Sequence, residues 1–262
     1  MKDVQAQKDV RGVKIDKVGI ADLYWPILIK DKGGDSQKTS AKVSLVVNLS
    51  AKYRGTHMSR LVELMSYFDK TPLSRKSLER FLLKTQKKTE SADAFVKLSF
   101  PYYRKKKSPV VGREGFMSYM CQAFSFIKRG KLVTKLRVRV SVLSLCPCSK
   151  AISKTGAHNQ RSRVEVSIIP VNNEWFGELI DLVERCGSAD LYSVLKRPDE
   201  KWIMDKAMAK PRFVEDIVRD VAIELKKKGI KSFIVRCKNY ESIHNHNAFA
   251  QVSRNIKEIL NE

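Results

Sequence analysis

Leu132-Val133-Thr134-Lys135-Leu136-Arg137-Val138-Arg139-Val140-Ser141-Val142-Leu143-Ser144-Leu145 sets Val133, Leu136, Val138, Val140 and Val142 in near alternation with polar residues. Successive side chains of an extended strand point to opposite faces, so the run reads as a long strand with one buried face. Upstream, Ala94–Tyr103 and about Gly115–Lys128 read as two further strands. Before them, apolar residues at Leu61, Leu64, Met65 and Phe68 recur with a helical period over Met58–Phe68. Thr71-Pro72-Leu73 reads as the opening of a second helix, with Leu78, Phe81 and Leu82 facing inward. At the start, Gly12–Lys30 and about Thr39–Leu49 form a strand pair around the loop Lys32-Gly33-Gly34-Asp35. Downstream come a strand at Arg163–Ile169 and helices at Glu174–Cys186 and Arg212–Lys228. A strand at Ser232–Cys237 and a strand-like segment at Ala248–Val252 follow them. The order two strands, two helices, two strands thus occurs twice, with the halves meeting near Arg129-Gly130-Lys131. That predicts an N-terminal module over 1–129 and a C-terminal module over 130–262, although no residue-level repeat accompanies the repeated order.

The composition supports a folded domain: 43% of the residues are hydrophobic, and the charged 30% are interspersed with them. No apolar run reaches the ~18 residues of a membrane span. Met1-Lys2-Asp3-Val4-Gln5 is not followed by an apolar signal region, so a cytoplasmic location and reduced cysteines are expected. The net charge of +23, from 51 Lys and Arg against 28 Asp and Glu, points to an anionic partner. These charges are spread along the chain, a pattern that suits a nucleotide phosphate tail and a charged surface better than a nucleic-acid track. An RNA- or DNA-binding module would interleave aromatic and basic residues on a strand face, and Phe100-Pro101-Tyr102-Tyr103-Arg104 is the one such place.

The four histidines, His57, His158, His244 and His246, all lie in polar surroundings, unlike histidines packed into a core. Cys146-Pro147-Cys148-Ser149-Lys150 stands where the long strand ends, and His158 lies twelve residues on from Cys146, across a loop-forming sequence long enough to fold back. Thiolate and imidazole are good ligands for a borderline-soft divalent ion. A carboxylate would complete three protein ligands and leave a position open for water. Glu200, in Leu195-Lys196-Arg197-Pro198-Asp199-Glu200-Lys201, reads by itself as part of a solvated turn. Glu241 precedes His244 and His246, and a strand would put those two histidines on one face. A carboxylate there matches the N1–H and N2–H edge of guanine, and imidazoles suit proton transfer near neutral pH. Arg54, Arg60, Lys150 and Arg161 stand beside these segments and suit phosphate oxygens.

Taken together, the segments Arg11-Gly12-Val13, Val18-Gly19-Ile20, Arg54-Gly55-Thr56-His57-Met58-Ser59-Arg60 and Cys146-Pro147-Cys148-Ser149-Lys150 resemble the GTP cyclohydrolase type IB family. Asp3-Val4-Gln5, Gly156-Ala157-His158-Asn159-Gln160-Arg161, Leu195–Lys201 and Glu241-Ser242-Ile243-His244-Asn245-His246-Asn247 extend the resemblance over nearly the whole chain. It implies an α+β tunnelling fold, with two β-β-α-α-β-β modules per chain and antiparallel sheets bearing helices on one face. It also implies a homotetramer with active sites at subunit junctions. The implied reaction converts GTP and water to 7,8-dihydroneopterin triphosphate and formate by metal-activated attack of water at guanine C8. By position, Cys146, His158 and Glu200 match the metal ligands, for zinc, manganese or ferrous iron. Glu241 matches the guanine anchor, and His244 and His246 match active-site histidines. Arg54, His57, Arg60, Lys150 and Arg161 complete the expected substrate contacts. An alternative from the same fold, a pterin or deazapurine reductase or aldolase, would need a thioimide-forming cysteine with a nicotinamide cofactor, or no metal set at all.

Overall fold

The computed structural model describes residue 5 and residues 7–30, 36–128, 130–172 and 174–255. The loop expected at Lys32–Asp35, the Asp3-Val4 part of the first motif and Arg129 lie outside the described residues. The chain divides into two compact units, Met1–Pro101 with Gln122–Lys135, and Tyr102–Cys121 with Leu136–Glu262.

In the first unit, β1 (Ile15–Lys30) pairs antiparallel with β2 (Ser36–Leu49), and β2 pairs with β3 (Ala94–Lys107). Every second residue of β2 from Thr39 to Leu49 is buried, the period expected of a strand with one covered face. Full burial of each aliphatic side chain in that row contributes about 1.5–3 kcal/mol. Gly19 in β1 lies so close to β2 that a Cβ there would stand 2.2 Å from the Leu45 carbonyl oxygen. Between β2 and β3 come α1 (Met58–Leu64), the single turn α2 (Tyr67–Lys70) and α3 (Arg75–Thr89). The helix expected over Met58–Phe68 is therefore two pieces, interrupted at Met65-Ser66. The next helix opens at Ser74 rather than at Thr71-Pro72. Ser74 Oγ accepts from Ser77 N, and Ser77 Oγ accepts from Ser74 N, a reciprocal cap stronger than a Thr-Pro pair offers.

β4 (Glu114–Lys128) and β5 (Lys131–Leu145) follow. In the second unit the order is then α4 (Pro147–Ile152), β6 (Asn159–Ile168), α5 (Phe176–Glu184), α6 (Arg197–Ala209), α7 (Val214–Lys227), β7 (Phe233–Asn239) and β8 (Ala248–Arg254). β5, β6, β7 and β8 pair antiparallel in that order. Their buried face is Leu136, Val138, Val140 and Val142 on β5, with Val164, Val166, Phe233 and Val235 on β6 and β7. α7 packs against β7 and β8, burying Ile217, Val221 and Leu225, residues spaced four apart on one helix face.

These elements correct the expected tunnelling fold of two β-β-α-α-β-β modules. The chain forms a single eight-stranded antiparallel sheet whose spatial order is β1 to β8 without a crossover. Gly130, at φ +75°, makes the turn between β4 and β5. The second long strand therefore extends the same sheet, pairing backbone groups that would otherwise form an edge. The helices do not repeat either: three stand between β2 and β3, one between β5 and β6, and three between β6 and β7. α6 occupies sequence read as a solvated turn, because its exposed residues are mixed in character and its apolar stripe is narrow.

Candidate active site

Cys146 ends β5 and caps α4, its Sγ accepting from Ser149 N at 3.4 Å, with Pro147 in the first turn. The β5–β6 ladder closes at Leu145 opposite Asn159, and one step further Cys146 N donates to the His158 carbonyl at 3.0 Å. The intervening loop folds back as its length allowed, and it sets Cys146 and His158 side by side. His158 N donates to Ser149 Oγ at 3.3 Å, tying the histidine to α4 as well. Its Nδ1 lies 3.0 Å from Gln160 Oε1, while Gln160 Nε2 donates to the buried Ser144 Oγ at 3.0 Å. Gln160 thus holds the ring through Nδ1, the kind of outer contact that orients a ligating or proton-transferring imidazole.

A second segment closes over the same strand ends. Tyr240 N donates to the Arg161 carbonyl at 3.0 Å, carrying the chain past β6 at Glu241. Glu241 and His244 each bring a ligand atom within 4.8 Å of the others and of His158, forming a cluster of two imidazoles and one carboxylate. The His158 and His244 rings meet edge to face at 6.1 Å, and His244 stacks on His246 at 5.1 Å. The segment 242–246 is a run of bends, not a strand; the two histidines share a side through this stacking.

Glu200 is exposed on the first turn of α6 and lines a cavity of about 790 Å³ with Asn159, Arg161, Arg139, Asp190 and Tyr192. The next residue back, Asp199, is fully buried. Burial pushes its carboxyl pKa upward, but hydrogen bonds from Val111 N, Val110 N and Lys196 N outweigh that and hold it below the usual range. It thereby clamps the turn after β3 to the start of α6. Lys150 Nζ donates to the Met208 carbonyl at 2.7 Å and links α4 to the end of α6. Gly187 brings the chain beside β5, where a Cβ would meet Val142 Cβ at 2.6 Å, and Leu143 N then donates to the Ala189 carbonyl.

The cavity wall behind Asp190 is ionic. Lys106 Nζ lies 2.9 Å from Glu184 and 3.3 Å from Asp190, and Lys206 Nζ lies 3.0 Å from the other oxygen of Asp190. The Tyr119 hydroxyl donates to Glu184 at 2.7 Å, and burial, reinforced by that carboxylate, raises its pKa well above the ordinary phenol range. Burial, with Asp190 beside it, pushes the Tyr192 phenol up to about 12. Both phenols are therefore neutral hydrogen-bonding walls near pH 7. Sequence reading missed Asp190, Tyr119 and Arg139, whose neighbours in the chain carry no motif.

Arg54, His57 and Arg60 belong to the first unit. Arg54 is exposed, its N–H donating to the Gln7 carbonyl, and His57 is the N-cap residue of α1. His57 and Arg60 line a separate cavity of about 320 Å³ with Tyr53, Thr56 and Glu90. Cys148 is exposed, and Cys121, Cys186 and Cys237 are buried free thiols.

A sequence-family model described as type I GTP cyclohydrolase folE2 matches residues 1–250. The GTP cyclohydrolase FolE2 of Magnetococcus marinus is 44% identical over 252 residues, covering 95% of this chain and 94% of that protein. The protein of the same name from Halorhodospira halophila is 43% identical, covering 97% and 98%. That of Thermosipho melanesiensis is 42% identical over 260 residues, covering 99% and 100%. Among solved structures, a uricase from Arthrobacter globiformis superposes with a TM-score of 0.54 at 8% identity, covering 92% of this chain and 94% of that one. The urate oxidase of Bacillus sp. TB-90 gives 0.53, also at 8% identity, covering 91% and 99%. At such identity the likeness concerns the fold alone, and it agrees with the single eight-stranded sheet.

Proposed function

The chain belongs to the type I GTP cyclohydrolase folE2 family, and from that premise we propose which of its residues perform the reaction. It is a GTP cyclohydrolase of folate biosynthesis, converting GTP and water to 7,8-dihydroneopterin triphosphate and formate. The observation that carries the assignment of residues is the convergence of His158, Glu241 and His244 beside Cys146 at the strand ends.

Thiolate, imidazole and carboxylate are donors that suit a divalent ion such as zinc, manganese or ferrous iron. Cys146, His158 and Glu200 would hold it. Bound there, it would supply a lowered water pKa next to the base. His158, Glu241 and His244 form a second possible three-donor set, favoured by their mutual distance of 4.8 Å or less.

In this reading Glu241 accepts the N1–H and N2–H of guanine and fixes C8 toward Cys146 and His158. The stacked pair His244 and His246 delivers protons to the ring nitrogens as the two C8–N bonds break. Two waters are consumed at C8 and formate leaves. Arg161, at the cavity wall, takes a phosphate oxygen, and Arg54, His57 and Arg60 offer further anion contacts in the first unit. The opened ribose then closes the new ring as its carbonyl carbon condenses with the freed amine and releases one water, so that one water is consumed net. This step needs ordered proton transfers more than a covalent nucleophile. Assembly as a homotetramer with sites at subunit junctions, and a cytoplasmic location, complete the proposal. Among the described residues no helix is long and apolar enough to cross a membrane.

The test is metal content measured together with formate released from GTP. Cys146→Ala, His158→Ala and Glu200→Ala should each lose bound metal and turnover while keeping the fold, whereas Glu241→Ala and His244→Ala should keep the metal. Stoichiometric metal in Cys146→Ala and Glu200→Ala, with loss in His158→Ala, Glu241→Ala and His244→Ala, would transfer the ligand assignment to the His158, Glu241 and His244 set.

A further inference from the structure

α6 buries Asp199, Ile203 and Ala207, spaced four apart, so a carboxylate stands where the stripe would take an apolar side chain. A buried carboxylate costs free energy unless its oxygens are hydrogen-bonded, and Asp199 uses both. Its Oδ1 accepts from Val110 N at 2.9 Å and from Val111 N at 3.0 Å. Its Oδ2 accepts from Lys196 N, the N-cap of its own helix, at 2.9 Å. The Ser108 side chain hydrogen-bonds the same carboxylate. These donors are themselves held. Ser108 N donates to the Arg113 carbonyl at 2.9 Å, Arg113 N donates to Ser108 Oγ at 3.0 Å, and Gly112 takes φ +73° between them. The tip of the β3–β4 hairpin is thus closed on itself and presents two successive N–H groups to α6. Lower on the same hairpin, Lys106 pairs with Asp190 at 3.3 Å, and a Cβ on Gly115 would stand 2.3 Å from Ser193 Oγ. The hairpin therefore braces the chain at residues 190, 193 and 199, up to and into the first turn of α6.

Glu200 follows Asp199, about 100° further round the helix, and lines the cavity with Asn159 and Arg161. We propose that Asp199 is a positioning residue for the metal site: by latching α6 to the hairpin it holds the Glu200 carboxylate, a metal ligand on the reading above, at a fixed place on the cavity wall. A leucine at 199 would extend the apolar stripe but leave three backbone N–H groups without their acceptor. The first turn of a helix is its least fixed part, because its N–H groups have no partner within the helix. An exposed ligand there must be ordered when the ion binds, and the latch meets that cost in advance. Outer contacts that orient a ligand typically change metal affinity by about 10–100-fold.

Zinc affinity of the full-length protein, measured by competition with a chromophoric chelator, tests the latch. Asp199→Asn keeps the volume but puts an NH₂ group where an oxygen accepted an N–H. It should bind zinc about tenfold or more weakly while keeping a single cooperative melt. Glu200→Ala should lose at least as much. The Asp199→Asn/Glu200→Ala double variant should bind no more weakly than Glu200→Ala alone, because the latch acts only through that carboxylate. Asp205→Asn, in the exposed pair with Lys201 further along α6, should bind zinc like wild type. Wild-type zinc affinity in a folded Asp199→Asn overturns the proposal and leaves Glu200 as a ligand. So does a loss that recurs in full in the Glu200→Ala background, which a merely structural role would produce. Wild-type affinity in Glu200→Ala removes the ligand reading itself, and the latch with it. If Asp199→Asn loses its cooperative melt, Ser108→Ala decides by the same cycle, since it takes one hydrogen bond from Asp199. Weaker zinc binding that disappears in the Glu200→Ala background then upholds the proposal, and unchanged binding overturns it.

Discussion

β2 and β6 bury comparable rows of aliphatic side chains, yet they lead to different surroundings on the opposite face and at the ends. β1 and β2 together carry four lysines, two aspartates and no arginine, and the Lys42–Asp22 pair at 2.8 Å is open to solvent. β5 to β7 carry a register-aligned arginine cluster on a single half-buried glutamate, and β5 and β6 end at Cys146 and His158. The buried rows make both strand sets fold by the same physics. What distinguishes them is the chemistry that each leaves outside the core.

The sharpest way to break the comparison lies at the strand ends. Glu241→Ala should abolish the preference for GTP over ATP, a loss of up to ~10⁴ in discrimination, because ATP offers no matching N–H pair to that carboxylate. Binding of both nucleotides by wild type and variant is the measurement, and equal wild-type affinity for the two would falsify the guanine assignment. The buried rows, by contrast, should respond alike. Leu45→Ala in β2 and Leu136→Ala in β5, both essentially fully buried, should each cost about 2–5 kcal/mol of unfolding free energy in urea titrations. A cost confined to one of them would show that the two cores are not equivalent.

A smaller effect should separate the two close-approach glycines. Gly187→Ala would press a methyl against the Val142 side chain, which has some room to shift, and should cost about 1–3 kcal/mol. Gly19→Ala meets the Leu45 backbone at 2.2 Å, which a rotamer change cannot relieve, so it should cost more. Thermal melts of the two variants would order them, and the reverse order would contradict the packing described.

The smallest effect concerns pH. Burial raises the Glu165 carboxyl pKa, but the Arg139 hydrogen bond and the charges of Arg137, Arg139 and Arg236 more than offset this and lower it. A carboxylate with a lowered folded pKa contributes stability that is fully present above the unfolded value of about 4.3 and lost as pH falls through the folded value. Glu165→Gln should therefore flatten the loss of stability between about pH 5 and pH 3 relative to wild type. Chemical melts at stepped pH would distinguish them, and superimposable curves for wild type and Glu165→Gln would count against the cluster.

Strand period two, the helical spacing of Leu61, Leu64 and Phe68, and the motifs around Cys146, His158 and Glu241 are local properties, legible because the spacing of side chains along the backbone is constant. The loop between Cys146 and His158 was legible as long enough to fold back, but that it sets the two side by side came from the β5–β6 pairing. The family resemblance followed from the same motifs. Three-dimensional packing settled what no local spacing contains: that β4 continues into β5 as one sheet, that α6 forms where Lys196–Lys201 looked like a turn, and that Glu241 and His244 reach His158 from more than eighty residues away. The arginine cluster is of the same kind, because Arg139, Glu165 and Arg236 become neighbours only through strand register. Register depends on which apolar rows can share one core, and that choice is made by the whole sheet at once.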